Sequence, residues 1–340
     1  MNCKQRVMAA LRGDPVDRVP VFIMSRQYAM KRKNLSFKTC LEDFSGEKYA
    51  NAQAEAFALY GYDGVMDFEG VSAESEAFGC ELSKSENESP TVISPRIQHY
   101  DELEQLEIPD FEKSSVLQRQ FNVIKALRRL VAEDVPIYAN VQCPFRSAAM
   151  LRGLNNFLLD LIENAPDVHA LLEVTTQMAI LYGKRLIKAG ADILMPSNPL
   201  GSGNIISNQH YEEFVFPYEK KMVDSFRKNG IPTILHICGK TQDRLSLIAD
   251  TGYDGVSVDS IVDLDQAGRD VGNKICLIGN LDVFQPLRNG TPQDVTKGAL
   301  ECIKAKNSGG GFMLSGSCEI IPDTPEQNLI ALIEAARAAI

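Results

Sequence analysis

The feature that most constrains this chain is a regular alternation of short β-rich runs with longer helical patterns. The β-rich runs fall at residues 19–24, 62–68, 135–142, 191–196, 231–238, 253–259, 274–280 and 311–315. Between them, apolar residues recur at helical spacing over 156–162, 167–189, 210–229, 241–250, 292–308 and 325–339. Asp167 after Pro166, Thr291 before Pro292 and Thr324 before Pro325 mark helix starts. Repeated βα units build a parallel sheet, and eight of them predict an α/β fold of the TIM (β/α)8 barrel type. A doubly wound open sheet is the competing arrangement. The run Gly61-Tyr-Asp-Gly-Val65 recurs as Gly252-Tyr-Asp-Gly-Val256, consistent with two equivalent entries into a strand. Residues 72–110 interrupt the alternation: they are rich in Ser and Glu and carry Pro90, Pro95 and Pro109. They are expected to form a cap or extended loop, an N-terminal excursion from one barrel domain spanning 1–340.

Composition narrows the function. With 340 residues, 44% of them hydrophobic, the chain can bury a large core. A net charge of −10 argues against a general nucleic-acid or anionic-membrane binder, since both need a basic face. No run approaches the ~20 apolar residues of a membrane span. The first residues lead into an amphipathic segment rather than an apolar leader, and the eight cysteines are widely and irregularly spaced. Reduced thiols and a cytoplasmic protein are therefore expected.

Two of those cysteines stand apart. His236 and Cys238 lie two residues apart on one run, so their side chains leave the same face of a strand. In a barrel that face points inward, and both residues sit at the C-terminal end where barrel active sites are built. Cys318 follows the last run, at the same end. One imidazole and two thiols form a soft N/S donor set that suits Zn2+, and three protein ligands leave a fourth position for water or substrate. Glu319 or Asp259 could instead close the set as a structural site, and a hydrogen-bonded core histidine beside two packed thiols is the plain alternative. Two thiolate ligands weaken the metal as a Lewis acid for water while keeping an incoming thiolate nucleophilic, which favours alkyl transfer to sulfur over hydrolysis. Asp67 and Glu69 end the second run and Asp259 the sixth; acids there are often catalytic, and equally often turn caps.

These residues resemble the uroporphyrinogen decarboxylase superfamily over nearly the whole chain. Within it they resemble the cobamide-dependent methyltransferases, a branch that includes methylcobamide:coenzyme M methyltransferases and O-demethylase components. The matching segments are Lys4-Gln-Arg-Val-Met-Ala-Ala-Leu-Arg-Gly13, Asp17-Arg-Val-Pro-Val21, Pro144-Phe-Arg-Ser-Ala-Ala-Met-Leu-Arg-Gly153, Ala189-Gly-Ala-Asp-Ile-Leu194, the His236-Ile-Cys238 segment and Glu319-Ile-Ile-Pro-Asp-Thr-Pro-Glu-Gln-Asn-Leu329. The resemblance implies zinc on His236, Cys238 and Cys318; the decarboxylases carry a histidine where this chain has Cys318. It also implies substrate contacts at Arg26, in the loop after the first run, and at Asn198, where the family usually has Asp. Decarboxylases use two arginines in that first loop, whereas Met24-Ser-Arg-Gln-Tyr-Ala-Met30 holds only Arg26. Without a second cation the acidic tetrapyrrole would be poorly held. The implied function is methyl transfer between a cobamide and a zinc-activated thiol, or from a methyl donor such as an aryl methyl ether; tetrapyrrole decarboxylation is the alternative. The chain has no corrinoid-binding Asp-x-His-x-x-Gly motif, so a partner corrinoid protein is expected to carry the cobamide.

Overall fold

A computed structural model describes residues 1–68, 72–305 and 310–339. Nine strands are present among them: β1 (Val65–Met66), β2 (Glu81–Leu82), β3 (Val92–Ser94), β4 (Ile137–Gln142), β5 (Ile193–Ser197), β6 (Ile234–Ile237), β7 (Gly255–Val258), β8 (Cys276–Leu281) and β9 (Phe312–Gly316). Seven form one parallel sheet in the order β1-β4-β5-β6-β7-β8-β9, while β2 and β3 pair separately as an antiparallel hairpin.

The eighth barrel position is taken by residues 19–24, which were expected to form a strand and instead make one bridge, Val21 to Leu314. Pro20 has no N–H to give a ladder, so extended pairing is interrupted there. Backbone bonds nonetheless close the ring. Phe22 N–H donates to Leu314 O and Leu314 N–H to Pro20 O on one side (both 2.9 Å), and Asp63 N–H donates to Val21 O (2.8 Å) on the other. The fold is a (β/α)8 barrel.

Local chemistry explains the repeated entries into strands. Gly61, Gly190 and Gly252 each end a helix in the left-handed conformation, where an L side chain is disfavoured. Two residues later an aspartate crosses to the neighbouring strand and accepts its first N–H. Asp63 binds Val21, Asp192 binds Ile137 and Asp254 binds Thr233, all at 2.8 Å. The Gly-Tyr-Asp-Gly-Val echo is thus a seam device that aligns successive strands.

The core has two compartments. Outward-facing strand residues such as Leu194, Leu235 and Val256 pack against the surrounding helices. Inward-facing ones, including Phe22, Tyr138, Ile234 and Met313, form a separate interior layer. The helix Cys3–Arg12 plugs the N-terminal end of the barrel with Val7, Ala10 and Leu11, and is opened by a capping box between Asn2 and Gln5. Residues 72–110 form a short helix (Ala73–Ala77), the β2–β3 hairpin and a 3-10 turn (Tyr100–Gln105). The expected helix over 210–229 is divided into Asn208–Phe214 and Phe216–Arg227; Pro217, with no N–H to donate, begins the second. The helix expected over 292–308 is Pro292–Ala305, and the remainder of that span lies outside the described residues. All eight cysteines are free of disulfides. Among the described residues no helix is long and apolar enough to cross a membrane.

Candidate metal centre

β6 carries His236, and Cys238 follows its last residue. Ile234 belongs to the barrel interior, so the period of two along a strand turns His236 inward as well. The chain then reverses at Gly239, whose φ is +84° and where an added Cβ would meet Asn204 Oδ1 at 2.4 Å. Glycine is therefore required immediately after the cysteine. Gly239 N–H donates to Asp259 Oδ2 (2.9 Å), which fixes the turn against the end of β7.

Cys318 is seated by the two segments that flank β9. Ser317 N–H donates to Leu281 O (2.7 Å) and Ile320 N–H to Met24 O (2.8 Å), so the loop is pinned to β8 on one side and to the 19–24 segment on the other. Glu319 Oε1 adds a bond from Gln27 N–H (2.8 Å).

These supports bring three donors together. Cys238 Sγ lies 3.0 Å from His236 Nε2 and 3.6 Å from Cys318 Sγ, and Cys318 Sγ lies 3.8 Å from His236 Nε2. A tetrahedral ion with bonds of roughly 2.0–2.3 Å separates its donors by about 3.3–3.8 Å, so the donor types and both separations from Cys318 suit zinc, while Cys238 and His236 at 3.0 Å would have to part slightly around an ion. His236 Nδ1 is 3.1 Å from Ser257 Oγ on β7, a partner that holds the ring with Nε2 toward the sulfurs. His236 is buried and both cysteines are partly exposed, so the cluster opens toward the mouth.

Without a cation the two thiols share a proton. The hydrogen bond from Cys238 draws Cys318 toward thiolate, and His236 assists, against burial. The same bond, then burial and then the charges of Cys318 and Asp259, hold Cys238 protonated. A divalent ion between the sulfurs removes that conflict, because each can then be a thiolate.

The other expected site residues are placed differently. Asp259 comes close to the cluster, but it accepts Gly239 N–H and also Ser260 Oγ–H and Ile261 N–H (both 3.3 Å), as a turn carboxylate does. Glu319 is turned toward Arg26 and Gln27. Neither acid joins the three donors. Arg26 lies between two acids: Nε donates to Asp67 O (3.2 Å), Nη2 is 3.9 Å from Asp67 Oδ1, and Nη1 is 3.6 Å from Glu319 Oε2. Its charge is balanced by protein. Glu69 lies outside the described residues.

Asn198, expected to contact substrate, is fully buried and directly follows Ser197, the last residue of β5. Its Nδ2 donates to Glu219 Oε1 (2.7 Å) and its Oδ1 accepts Gly201 N–H (3.1 Å), which places it in the sheet–helix layer. Burial raises the Glu219 carboxyl pKa against hydrogen bonds from Asn198, Cys143, Tyr211 and Tyr253. The folded state thus holds this proton more tightly than the unfolded chain, where Glu titrates near about 4.3. Stability contributed by the protonated group is complete below that pH and is lost as pH rises toward the folded value. Glu219→Gln removes this loss. The Tm difference between variant and wild type is expected to shift in the variant's favour as pH rises through the window, and a pH-independent difference would refute the assignment.

Ser257 and Arg146 were not singled out from sequence. Ser257 could have been found by counting in twos back from Asp259. Arg146, which donates to Ser197 Oγ (3.0 Å) and acts on the charge of Cys238, comes from the helix Pro144–Arg152 and carried no local signal.

A closed parallel barrel with a soft donor set gathered at its C-terminal mouth is the architecture of a barrel enzyme. The chain belongs to the uroporphyrinogen decarboxylase (URO-D) family, whose model matches residues 2–339. It is 31% identical over 336 residues to the methylcobamide:CoM methyltransferase MtbA of Methanosarcina acetivorans, covering 98% of this chain and 97% of that one. A uroporphyrinogen decarboxylase of Coxiella burnetii is 28% identical over 349 residues, covering 98% and 94%. The solved structure of a methyltransferase from Methanosarcina mazei superposes with a TM-score of 0.88 at 26% identity, covering 99% of this chain and 98% of that one.

Proposed function

We propose that this protein is a zinc-dependent methyltransferase that moves a methyl group between a cobamide, presented by a separate corrinoid protein, and a small thiol of the coenzyme M kind. The observation that carries this reading is the convergence of His236, Cys238 and Cys318 within 3.0–3.8 Å at the barrel mouth. The similarity to MtbA, named for methylcobamide and CoM, supports the same class of reaction. Bound by these three residues, zinc would supply a fourth position that holds a substrate thiol as its thiolate.

The chain's own residues do the rest. Ser257 orients the imidazole, Asp259 acts as a positioning residue through Gly239, and the pinned loop 317–320 holds Cys318 against Cys238. In the transfer, the thiolate sulfur takes the methyl group to form the thioether's carbon–sulfur bond. The carrier's bond to that methyl breaks with its electron pair left on the carrier, and the thiol proton is released to solvent on binding. The partial exposure of both cysteines lets a bulky methyl carrier approach from the mouth.

Decarboxylation is disfavoured by the state of Arg26. That guanidinium faces Asp67 and Glu319, so it offers little net charge to a substrate with several carboxylates. The deciding assay incubates the zinc-loaded protein with methylcobalamin and a panel of thiols, and in parallel with uroporphyrinogen. Thioether formation with loss of methylcobalamin is expected. No thioether with any thiol, together with decarboxylated porphyrinogen, would reverse the assignment.

A further inference from the structure

Residues 72–110 leave the barrel, and the short helix Ala73–Ala77 that begins this excursion packs on the long helix Ser115–Leu130. With the helix Phe37–Glu42 and strand β2, they wall a cavity of about 670 Å³, within the roughly 300–1,000 Å³ of small-molecule sites. Cys80 and Pro90, both buried, give it an apolar side together with Leu41 and Leu82. The three metal donors take no part in its walls.

Two of the charges that line this cavity lack a counter-charge. Arg119, half-buried, donates from Nη1 to Leu41 O (3.2 Å). Neither its Nε, which is buried, nor its Nη2 has a partner among the described residues. The edge left over, Nε with Nη2, is the one that takes a carboxylate through two parallel bonds. Glu76, on the helix Ala73–Ala77, is also half-buried and joins no ion pair among the described residues. The two helices touch, yet the guanidinium and the carboxylate do not meet across them. The remaining charges are answered. Lys38 pairs with Glu86 (3.8 Å), which also accepts from Ser36 Oγ (2.8 Å). Glu42, Glu81 and Lys84 are exposed, and water screens them.

We infer that this cavity binds a free α-amino acid with an apolar side chain. The carboxylate takes the Nε–Nη2 edge of Arg119, the ammonium takes Glu76, and the side chain lies against Leu41, Cys80, Leu82 and Pro90. A plain anion would face Glu76 uncompensated and a plain cation would face Arg119, so a zwitterion is the class that satisfies both. The bound molecule would join the helix Ala73–Ala77 to the helix Ser115–Leu130 and tie the excursion to the barrel wall. The inference is independent of methyl transfer.

Calorimetric titration of the full chain with L-leucine, 4-methylpentanoate and 3-methylbutylamine tests it, since the last two keep the side chain and each lose one charge. L-leucine is expected to bind, and each analogue at least about tenfold more weakly, the scale of a lost hydrogen bond to a charged group. Glu76→Gln and Arg119→Met are expected to weaken L-leucine to the same extent. Glu76→Gln is also expected to keep the wild-type Tm, because its carboxylate has no partner in the protein. It therefore decides the point even if Arg119→Met, which loses the bond to Leu41, folds poorly. Cys318→Ser is expected to bind L-leucine as the wild type does. Binding lost in Cys318→Ser but kept in Glu76→Gln would move the ligand to the metal centre and overturn the inference. Equal binding of the three compounds, no binding of L-leucine, or wild-type affinity in Glu76→Gln would overturn it as well.

Discussion

Cys318→Ser is expected to abolish tight zinc binding and methyl transfer together. The wild-type chain should hold about one zinc, from a set of three donors with an open fourth position. Serine cannot replace a thiolate as a soft ligand, and the two donors that remain, His236 and Cys238, cannot define a tetrahedral site. The loss should exceed that of Ser257→Ala, which removes only the hydroxyl 3.1 Å behind the imidazole; such outer partners typically contribute roughly 10–100-fold in metal affinity or activity. Elemental analysis and competition with a chelator give the ordering wild type, then Ser257→Ala, then Cys318→Ser. The metal-free proteins should share one far-ultraviolet circular dichroism spectrum, because the loop holding residue 318 is pinned by backbone bonds that the substitution leaves intact. Equal zinc in wild type and Cys318→Ser, or none in either after reconstitution, would remove the metal from the mechanism.

The largest effect on stability is expected at the other end of the barrel. Asp63 is fully buried. Its carboxylate accepts from Arg6 Nη1 (2.7 Å), from Arg18 Nη1 (2.8 Å) and Nη2 (2.9 Å), and from Val21 N–H (2.8 Å). One side chain therefore bridges two guanidinium groups, with Asp17 supplying the second negative charge at Arg6, and closes the seam between the 19–24 segment and β1. Asp63→Ala leaves a buried arginine short of its counter-charge, a defect that costs about 3–5 kcal/mol. For a chain of 340 residues that corresponds to a fall of about 4–7 °C in Tm. Asp17 also pairs with Arg6, but its side chain is 39% exposed, so Asp17→Ala should cost no more than about 1 kcal/mol. Thermal unfolding of the two variants decides the point: equal shifts would mean that the seam does not depend on Asp63.

Much of this architecture was legible in the residues, because strand runs and helix starts are written in local patterns. Seven of the eight expected runs contain a strand of the barrel sheet, and Thr291 caps its helix through reciprocal bonds with Asp294. The His-x-Cys spacing on a strand was enough to put two donors on one face. Its partner Cys318 was legible as a cysteine at the same end of the last strand. Asn198 was read differently from how the structure places it. It directly follows Ser197, the last residue of β5, and its side chain bonds Glu219 on the helix Phe216–Arg227. Arg26 was likewise read as a cation for substrate, since nothing near it in the chain announces that Glu319, nearly three hundred residues away, faces its guanidinium.

The division has a physical basis. Helix, strand and turn preferences are set by residues a few positions apart, so alternation, capping and the kinds of donor available can be read along the chain. Closure of the ring by residues 19–24 and the pairing of Arg26 with two acids depend on strand register and on contacts between distant segments. Those are fixed only when the strands align around a common interior. The chain's residues specify which chemistry is available; the closed barrel decides which of those groups meet.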